Sequence, residues 1–209
     1  MNFGDGLAKR FSPASYKRIL NDIKSKNMTS KTQGLENLAE TLAFAEPSQL
    51  KNFPMKETCR EIVKIFQNSS DITVLSLTTQ CIINILDAIF ESHKIITNSN
   101  YIQILKEKIQ YKLLSDLSLI ENVIHSISIL SKYRSKEISH TIIVKFILDN
   151  IDLISTPEKH HASIALSKIT SSGICQNFSK YLPQICSYFS SDDLIVANNM
   201  IDAFTNILN

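Results

Sequence analysis

The chain has 209 residues, of which 44% are hydrophobic and only four are glycine, and its formal net charge is +2. So few turn glycines exclude a typical all-β or Rossmann-type protein, and the hydrophobic content excludes a largely disordered chain. The near-neutral charge gives no indication of nucleic acid or an anionic membrane as a partner, and no apolar run is long enough to span a bilayer.

The N-terminal region is basic, because residues 1–31 contain seven Lys and Arg but only two Asp. We predict a flexible basic arm over residues 1–13, which is either a docking arm or simply a solvated terminus. Residues 14–209 are predicted to form one repeat domain. Because no polar capping segment follows the last helical pattern, we expect this domain to be part of a longer protein.

Ten helices are predicted along the chain from apolar residues that recur at i, i+3, i+4 and i+7. In chain order they cover Ala14–Lys26, Ser30–Ala45, Met55–Gln67, Asp71–Glu91, Tyr101–Tyr111, Asp116–Lys132, Ile142–Ile151, Pro157–Thr170, Phe178–Phe189 and Asp192–Leu208. Additional short turns are predicted near Ser92–Thr97 and Ser135–Thr141. Asp71, Asp116 and Asp192 stand where a carboxylate can cap a helix N-terminus.

The longer helices recur at a regular period. Their last strong apolar positions follow one another at intervals of 44, 44, 39 and 38 residues, at Leu42, Leu86, Leu130, Ile169 and Ile207. This spacing is typical of armadillo and HEAT repeats, which stack because one unit cannot bury its apolar faces alone. We therefore predict an all-α, armadillo-like, right-handed superhelical array of about five units. A single helical bundle is the structural alternative.

No combination of residues predicts a catalytic centre, a cofactor site or a metal site. The four cysteines match no zinc or redox spacing and are expected to be reduced and mostly buried, at Cys59, Cys81, Cys175 and Cys186. The adjacent His160 and His161 would point about 100° apart on a helix and so cannot share one metal. His125 is isolated in sequence, and we expect it to be a polar residue at the surface or at a helix end. We expect a cytoplasmic or nuclear protein that is not itself an enzyme.

Polar residues on the longer helices are the candidates for contact with a partner protein. They are Asn37, Thr41, Gln80, Asn84, Asn122, His125, Lys168, Asn199 and Asp202. Asparagine inside a helix is mildly unfavourable, so its recurrence favours either a binding role or an exposed face. A basic patch of Lys132, Arg134 and Lys136 could bind phosphate or an acidic partner, or could stabilise a helix C-terminus.

Three short segments carry a family resemblance. Asn52-Phe53-Pro54-Met55-Lys56 resembles a Gly-Phe-Pro-Val-Lys junction, and Ile129–Lys136 is similar to a Leu-Ser-Arg-Arg-His-Ser-Lys stretch. The helix over His161–Ile169 resembles an Ala-Leu-Ala-Ile-Ala helix. The similar segments occur, in the same order, in the armadillo region of the ubiquitin-fusion-degradation type of HECT ubiquitin ligases. This family includes the thyroid-receptor-interacting ligase.

The resemblance implies a role in substrate recognition. In that family the armadillo region precedes a separate HECT domain and helps to hold a degradation substrate, ubiquitin or a ubiquitin chain, while a HECT cysteine forms the thioester. It implies no catalytic role for the cysteines of this chain. The alternative is a general armadillo scaffold in trafficking, transport or cytoskeletal assembly. An importin-like groove fits less well, because it depends on tryptophans and this sequence has none.

Overall fold

The computed structural model describes residues 11–46, 48–173 and 178–209, and every regular element within them is helical. Contacts divide the chain into two compact units, residues 1–101 and 102–209. Most of the predicted N-terminal arm and Cys175 lie outside the described residues. No helix in the described part of the chain is long and apolar enough to cross a membrane.

Unit 1 is a layered set of helices. They are α1 (Pro13–Lys24), α2 (Met28–Ala43), a 3₁₀ turn (Gln49–Asn52), α3 (Met55–Asn68), α4 (Ile72–Ala88) and α5 (Ser92–Asn98). α2 packs between α1 and α4, and α3 packs against α4 and α5. As the sequence predicts, Asp71 caps α4, since its Oδ1 accepts a hydrogen bond of 3.0 Å from the backbone N–H of Val74.

A glycine sets the distance between the first two helices. Gly34 is buried in α2, and a Cβ atom at this position would lie 2.7 Å from the backbone nitrogen of Ile23 and 2.9 Å from Cβ of Asp22. Real Cβ atoms do not approach backbone atoms so closely. Glycine is unfavourable inside a helix, so the close contact with α1 is the physical reason for its presence here.

Unit 2 is built around one central helix. Its elements are α6 (Tyr101–Gln110, whose first residue belongs to unit 1), α7 (Leu117–Ile138), α8 (Thr141–Asn150), α9 (Thr156–Thr170), a 3₁₀ turn (Ser179–Tyr181), α10 (Leu182–Cys186) and α11 (Leu194–Leu208). α9 packs against α7 on one flank and α11 on the other, with smaller contacts to α8. Three of the longer helices thus form one layer.

The structure departs from the predicted helix bounds at three places. A kink at Arg134 (φ −136°, ψ 38°) interrupts α7 close to the end that the sequence predicts at Lys132, and helix follows to Ile138 where the sequence predicts a turn near Ser135–Thr141. The segment predicted as one helix over Phe178–Phe189 is a 3₁₀ turn followed by α10. Pro183 lies in the first turn of α10, the helical position that tolerates the missing N–H of proline.

The third departure concerns the cap of α11. Asp193, rather than the predicted Asp192, accepts hydrogen bonds from the backbone N–H groups of Ile195 (3.0 Å) and Val196 (3.2 Å). Both candidates precede the same apolar pattern, so the sequence alone does not distinguish them. The other predicted helices are confirmed within a few residues at each end.

We expect Gly34→Ala to lower the free energy of unfolding by about 1–3 kcal/mol, because the added methyl group must push α1 away from α2. Equilibrium denaturation monitored by circular dichroism measures this change. Gln33→Ala is the matched control, since Gln33 is exposed on the same helix and its replacement by alanine should cost less than about 0.5 kcal/mol. Equal effects of the two changes would contradict the close-approach explanation.

Candidate partner-binding surface

The α7–α9–α11 layer of unit 2 has an exposed side that several predicted binding residues share. On α9, positions 157, 161, 164 and 168 recur every three or four residues and are exposed or half-exposed, while most of the remaining helix is buried. Ala162 and Ala165 are fully buried against the neighbouring helices. We call this exposed side the polar face, defined by His125, His161, Lys168 and Asn199.

Asparagines of α11 connect that helix to α9. Nδ2 of Asn199 donates to Oγ of Ser163 over 3.1 Å, and Nδ2 of Asn206 donates to the carbonyl oxygen of Ser167 over 3.2 Å. Each bond joins helices that are far apart in sequence. The predicted binding residue Asn199 therefore forms a hydrogen bond within the fold. Asn206, which was not among the predicted binding residues, has an equivalent role.

The same arrangement occurs in unit 1 between α2 and α4. Nδ2 of Asn84 donates to the carbonyl oxygen of Ala39 over 2.8 Å, and Nε2 of Gln80 donates to Oδ1 of Asn84 over 2.9 Å. Thr41 is only 1% exposed, so it lies in the core and cannot present its side chain to a partner. Asn37 remains half-exposed on α2.

The remaining candidates lie at different depths in unit 2. Lys168 and Asp202 are exposed, on α9 and α11. Asn122 is half-buried on α7 and interacts with another group. Lys168 belongs to the polar face, and Asp202 lies on the same side of α11 as Asn199, three residues earlier, so the two exposed charges border one surface.

The predicted basic patch lies at the kink of α7. Lys132 and Lys136 are exposed, and Nη1 of Arg134 lies 3.4 Å from Oε1 of Glu137. The non-helical dihedral angles of Arg134 interrupt the helix two residues after Lys132, so stabilisation of a helix C-terminus remains an alternative role for Lys132.

A cluster of two histidines and one glutamate joins α7 to α9 on the polar face. The rings of His125 and His161 are stacked with centroids 3.7 Å apart, and Nδ1 of His125 lies 3.6 Å from Oε1 of Glu158. One ligand-type atom from each of these three residues lies within 4.8 Å of the others. Within the described part of the chain, these three side chains together could hold a metal ion.

Burial shifts the pKa values of two members of this cluster, Glu158 and His125. Burial, with a smaller contribution from the charge of Glu121, raises the pKa of the Glu158 carboxyl to about 7. Burial and then the charge of Lys132 lower the pKa of His125 below its ordinary value. A buried oxygen of Glu158, Oε2, accepts no hydrogen bond from the described residues. The cluster is therefore polar, partly buried and incompletely satisfied.

The sequence does not predict this cluster. His125 is isolated in sequence, and His161 adjoins His160, whose Nε2 instead lies 2.6 Å from Oδ2 of Asp193. The usable signal is the Glu-x-x-His spacing of Glu158 and His161, which places both side chains on one flank of α9. No local pattern indicates that His125 faces them across the layer.

The cysteines within the described residues are not arranged for catalysis. Cys59 and Cys81 are fully buried, and burial raises the pKa of the Cys59 thiol to about 12 and that of the Cys81 thiol further. Cys186 is half-buried. A thiol whose pKa is raised by burial is a poor nucleophile at neutral pH.

We expect Asn84→Ala and Asn206→Ala each to lower the free energy of unfolding by about 0.5–1.5 kcal/mol, because each change removes a hydrogen bond between two helices. Chemical denaturation of the two variants measures the loss. Asn198→Ala is the control on α11, since Asn198 is exposed, and it should change stability by less than about 0.5 kcal/mol. If all three changes are neutral, the asparagine bonds do not stabilise the fold.

Alkylation of the native protein at mildly alkaline pH should modify Cys186 while leaving Cys59 and Cys81 unmodified, because the last two are buried and protonated. Peptide mapping by mass spectrometry identifies the labelled sites, and a denatured sample in which all of them react is the control. Rapid labelling of Cys59 in the native state would show that this thiol is accessible and reactive.

Comparison with known proteins supports the fold. No family model matches the chain, and no curated protein matches it in sequence. A solved designed armadillo repeat protein matches with a TM-score of 0.79 at 13% identity, over 99% of this chain and 87% of that one. A second design, solved in complex with the peptide (KR)4, matches with a TM-score of 0.76 at 13% identity, over 99% of this chain and 87% of that one.

A third similar structure comes from work on the phosphorylation switch that controls the interaction between cadherin and beta-catenin. It matches with a TM-score of 0.77 at 12% identity and covers 93% of this chain but 37% of its own. At these identities the likeness establishes the fold. The chain is an all-α protein of the armadillo-like repeat class, as its repeat spacing predicts.

Proposed function

We propose that the chain is a protein-binding armadillo module that holds a segment of a partner protein on the polar face of unit 2. The observation that carries this proposal is the α7–α9–α11 layer, whose core side is apolar and whose other side presents charged groups. Lys168 and Asp202 are exposed there, while the neighbouring asparagines hold the helices together. A similar fold solved with a bound peptide supports it.

We further propose that this module is the recognition part of a HECT-type ubiquitin ligase that acts in the cytoplasm or nucleus. The support for this finer proposal is the resemblance of the Asn52–Lys56, Ile129–Lys136 and His161–Ile169 segments to that ligase family. Two of the three segments lie on α7 and α9, and they contribute Lys132, Lys136 and Lys168 to the exposed surface. The partners would be a degradation substrate, ubiquitin or a ubiquitin chain.

A titration with mono-ubiquitin and with ubiquitin chains, followed by interferometry, tests the ligase proposal. We expect saturable binding that Lys168→Glu and Asp202→Lys each weaken about tenfold, a loss of about 1.4 kcal/mol, because each reverses a charge on the polar face. Lys145→Glu is the matched control. Lys145 is exposed on α8 and paired with Asp149, so its reversal should leave binding nearly unchanged.

The outcome separates the ligase module from a general scaffold. Binding that responds to the polar-face variants but not to Lys145→Glu supports ubiquitin recognition. Absence of binding at millimolar ubiquitin removes ubiquitin as a direct ligand. The scaffold alternative, which the likeness to other armadillo structures also supports, then becomes the better explanation. Circular dichroism of each variant confirms that the change affects the surface and not the fold.

A further inference from the structure

We propose that His125, Glu158 and His161 form a binding site for a divalent transition metal ion, best matched by Zn²⁺, that connects α7 to α9. This site shares His125 and His161 with the polar face, but the argument for it uses the donor groups and their distances and does not rest on the protein-binding role proposed above. It uses one side chain from the longest helix of unit 2 and two from the central helix.

The first argument is the chemistry of the donors. Two imidazoles and one carboxylate are a ligand set found in zinc sites with three protein ligands, which leave the fourth tetrahedral position for another donor. Imidazole nitrogen favours zinc and neighbouring transition metals, whereas calcium and magnesium favour all-oxygen sites. The set therefore points to zinc rather than to the common alkaline-earth ions.

The second argument is distance. Donor atoms about 2.0–2.2 Å from one tetrahedral zinc ion lie roughly 3.4 Å from each other. The donor atoms of the three residues already lie within 4.8 Å of one another. Glu158 and His161 are about one turn apart on α9, so their side chains can reach a common ion, and rotation of the His125 side chain would supply the remaining contraction from α7.

The third argument is that the carboxylate of Glu158 is incompletely satisfied. Side chains of His125 and Glu158 are 25% and 17% exposed, so bulk water solvates them incompletely. Their closest approach, 3.6 Å, exceeds hydrogen-bond distance, and buried Oε2 of Glu158 accepts no hydrogen bond from the described residues. A partly buried carboxylate is costly unless a cation or donor compensates it.

The orientation of the two imidazole rings also shows which structural change metal binding requires. A metal ion lies near the plane of each imidazole that it binds, and the rings of His125 and His161 are nearly parallel, with an interplanar angle of 22°. Two nearly parallel planes do not meet close to the rings. At least one ring must therefore turn out of the stack when the ion binds, which gives a spectroscopic signature.

Zinc titration of the full chain, freed of metal with a chelator, tests the site by calorimetry and by NMR of the histidine rings. We expect one saturable site and shifted ring signals of His125 and His161. His125→Ala and His161→Ala should each weaken zinc binding at least tenfold. Glu158→Gln, which keeps the shape of the side chain, should also weaken it, so the test does not depend on the folding of the alanine variants.

His160→Ala is the matched control, because His160 is the adjacent histidine on α9 and interacts with Asp193 instead. It should leave the zinc affinity within about twofold of the wild type. Substitution by Co²⁺ distinguishes this site from the cysteines, since the proposed ligands give no thiolate charge-transfer band. No saturable zinc binding, an equal loss in His160→Ala, or a thiolate band for the bound Co²⁺ would each overturn the proposal.

Discussion

Unit 2 depends on the close packing of α9 against α7 and α11. Ala162 and Ala165 are fully buried, and Leu166 and Ile169 fill the core beneath them. A helix of this length is marginal by itself in water, so the burial of both flanks supplies most of its stability. Small side chains permit the approach of α7 on one flank and α11 on the other. Because both flanks are covered in this way, only the outer side of α9 remains exposed.

Polar cross-links then fix how the helices align. In both units an asparagine of a later helix donates to a backbone carbonyl of an earlier one, Asn84 to Ala39 and Asn206 to Ser167. A helical carbonyl already accepts one hydrogen bond and has a second lone pair available for such a contact. These bonds explain why asparagine persists inside helices despite its low propensity, and they leave the charged side chains for contact with a partner.

The two flanks of α9 have different chemistry. Towards α11, serines and asparagines form hydrogen bonds whose partners are satisfied. Towards α7, the stacked histidines and Glu158 bring together metal-binding groups with an unsatisfied buried oxygen. Lys168 lies between these flanks on the exposed side, so a protein partner held there would contact a surface bordered by both.

The sequence by itself determined the helices and their repeat. Apolar periodicity and caps such as Asp71 and Asp116 act within about four residues, so they can be read directly from the chain. The 38- to 44-residue spacing determined the armadillo-like class, because each unit must stack to bury its apolar face.

Only the tertiary structure decided the roles of the polar residues. Asn84 is one example, because the fold places its amide beside the carbonyl of Ala39, 45 residues away. His125 becomes part of a cluster only because α7 and α9 pack with one particular rotation. Such pairings depend on the distance and rotation between helices. Many residues that are distant in sequence determine this geometry together, so no local pattern specifies it.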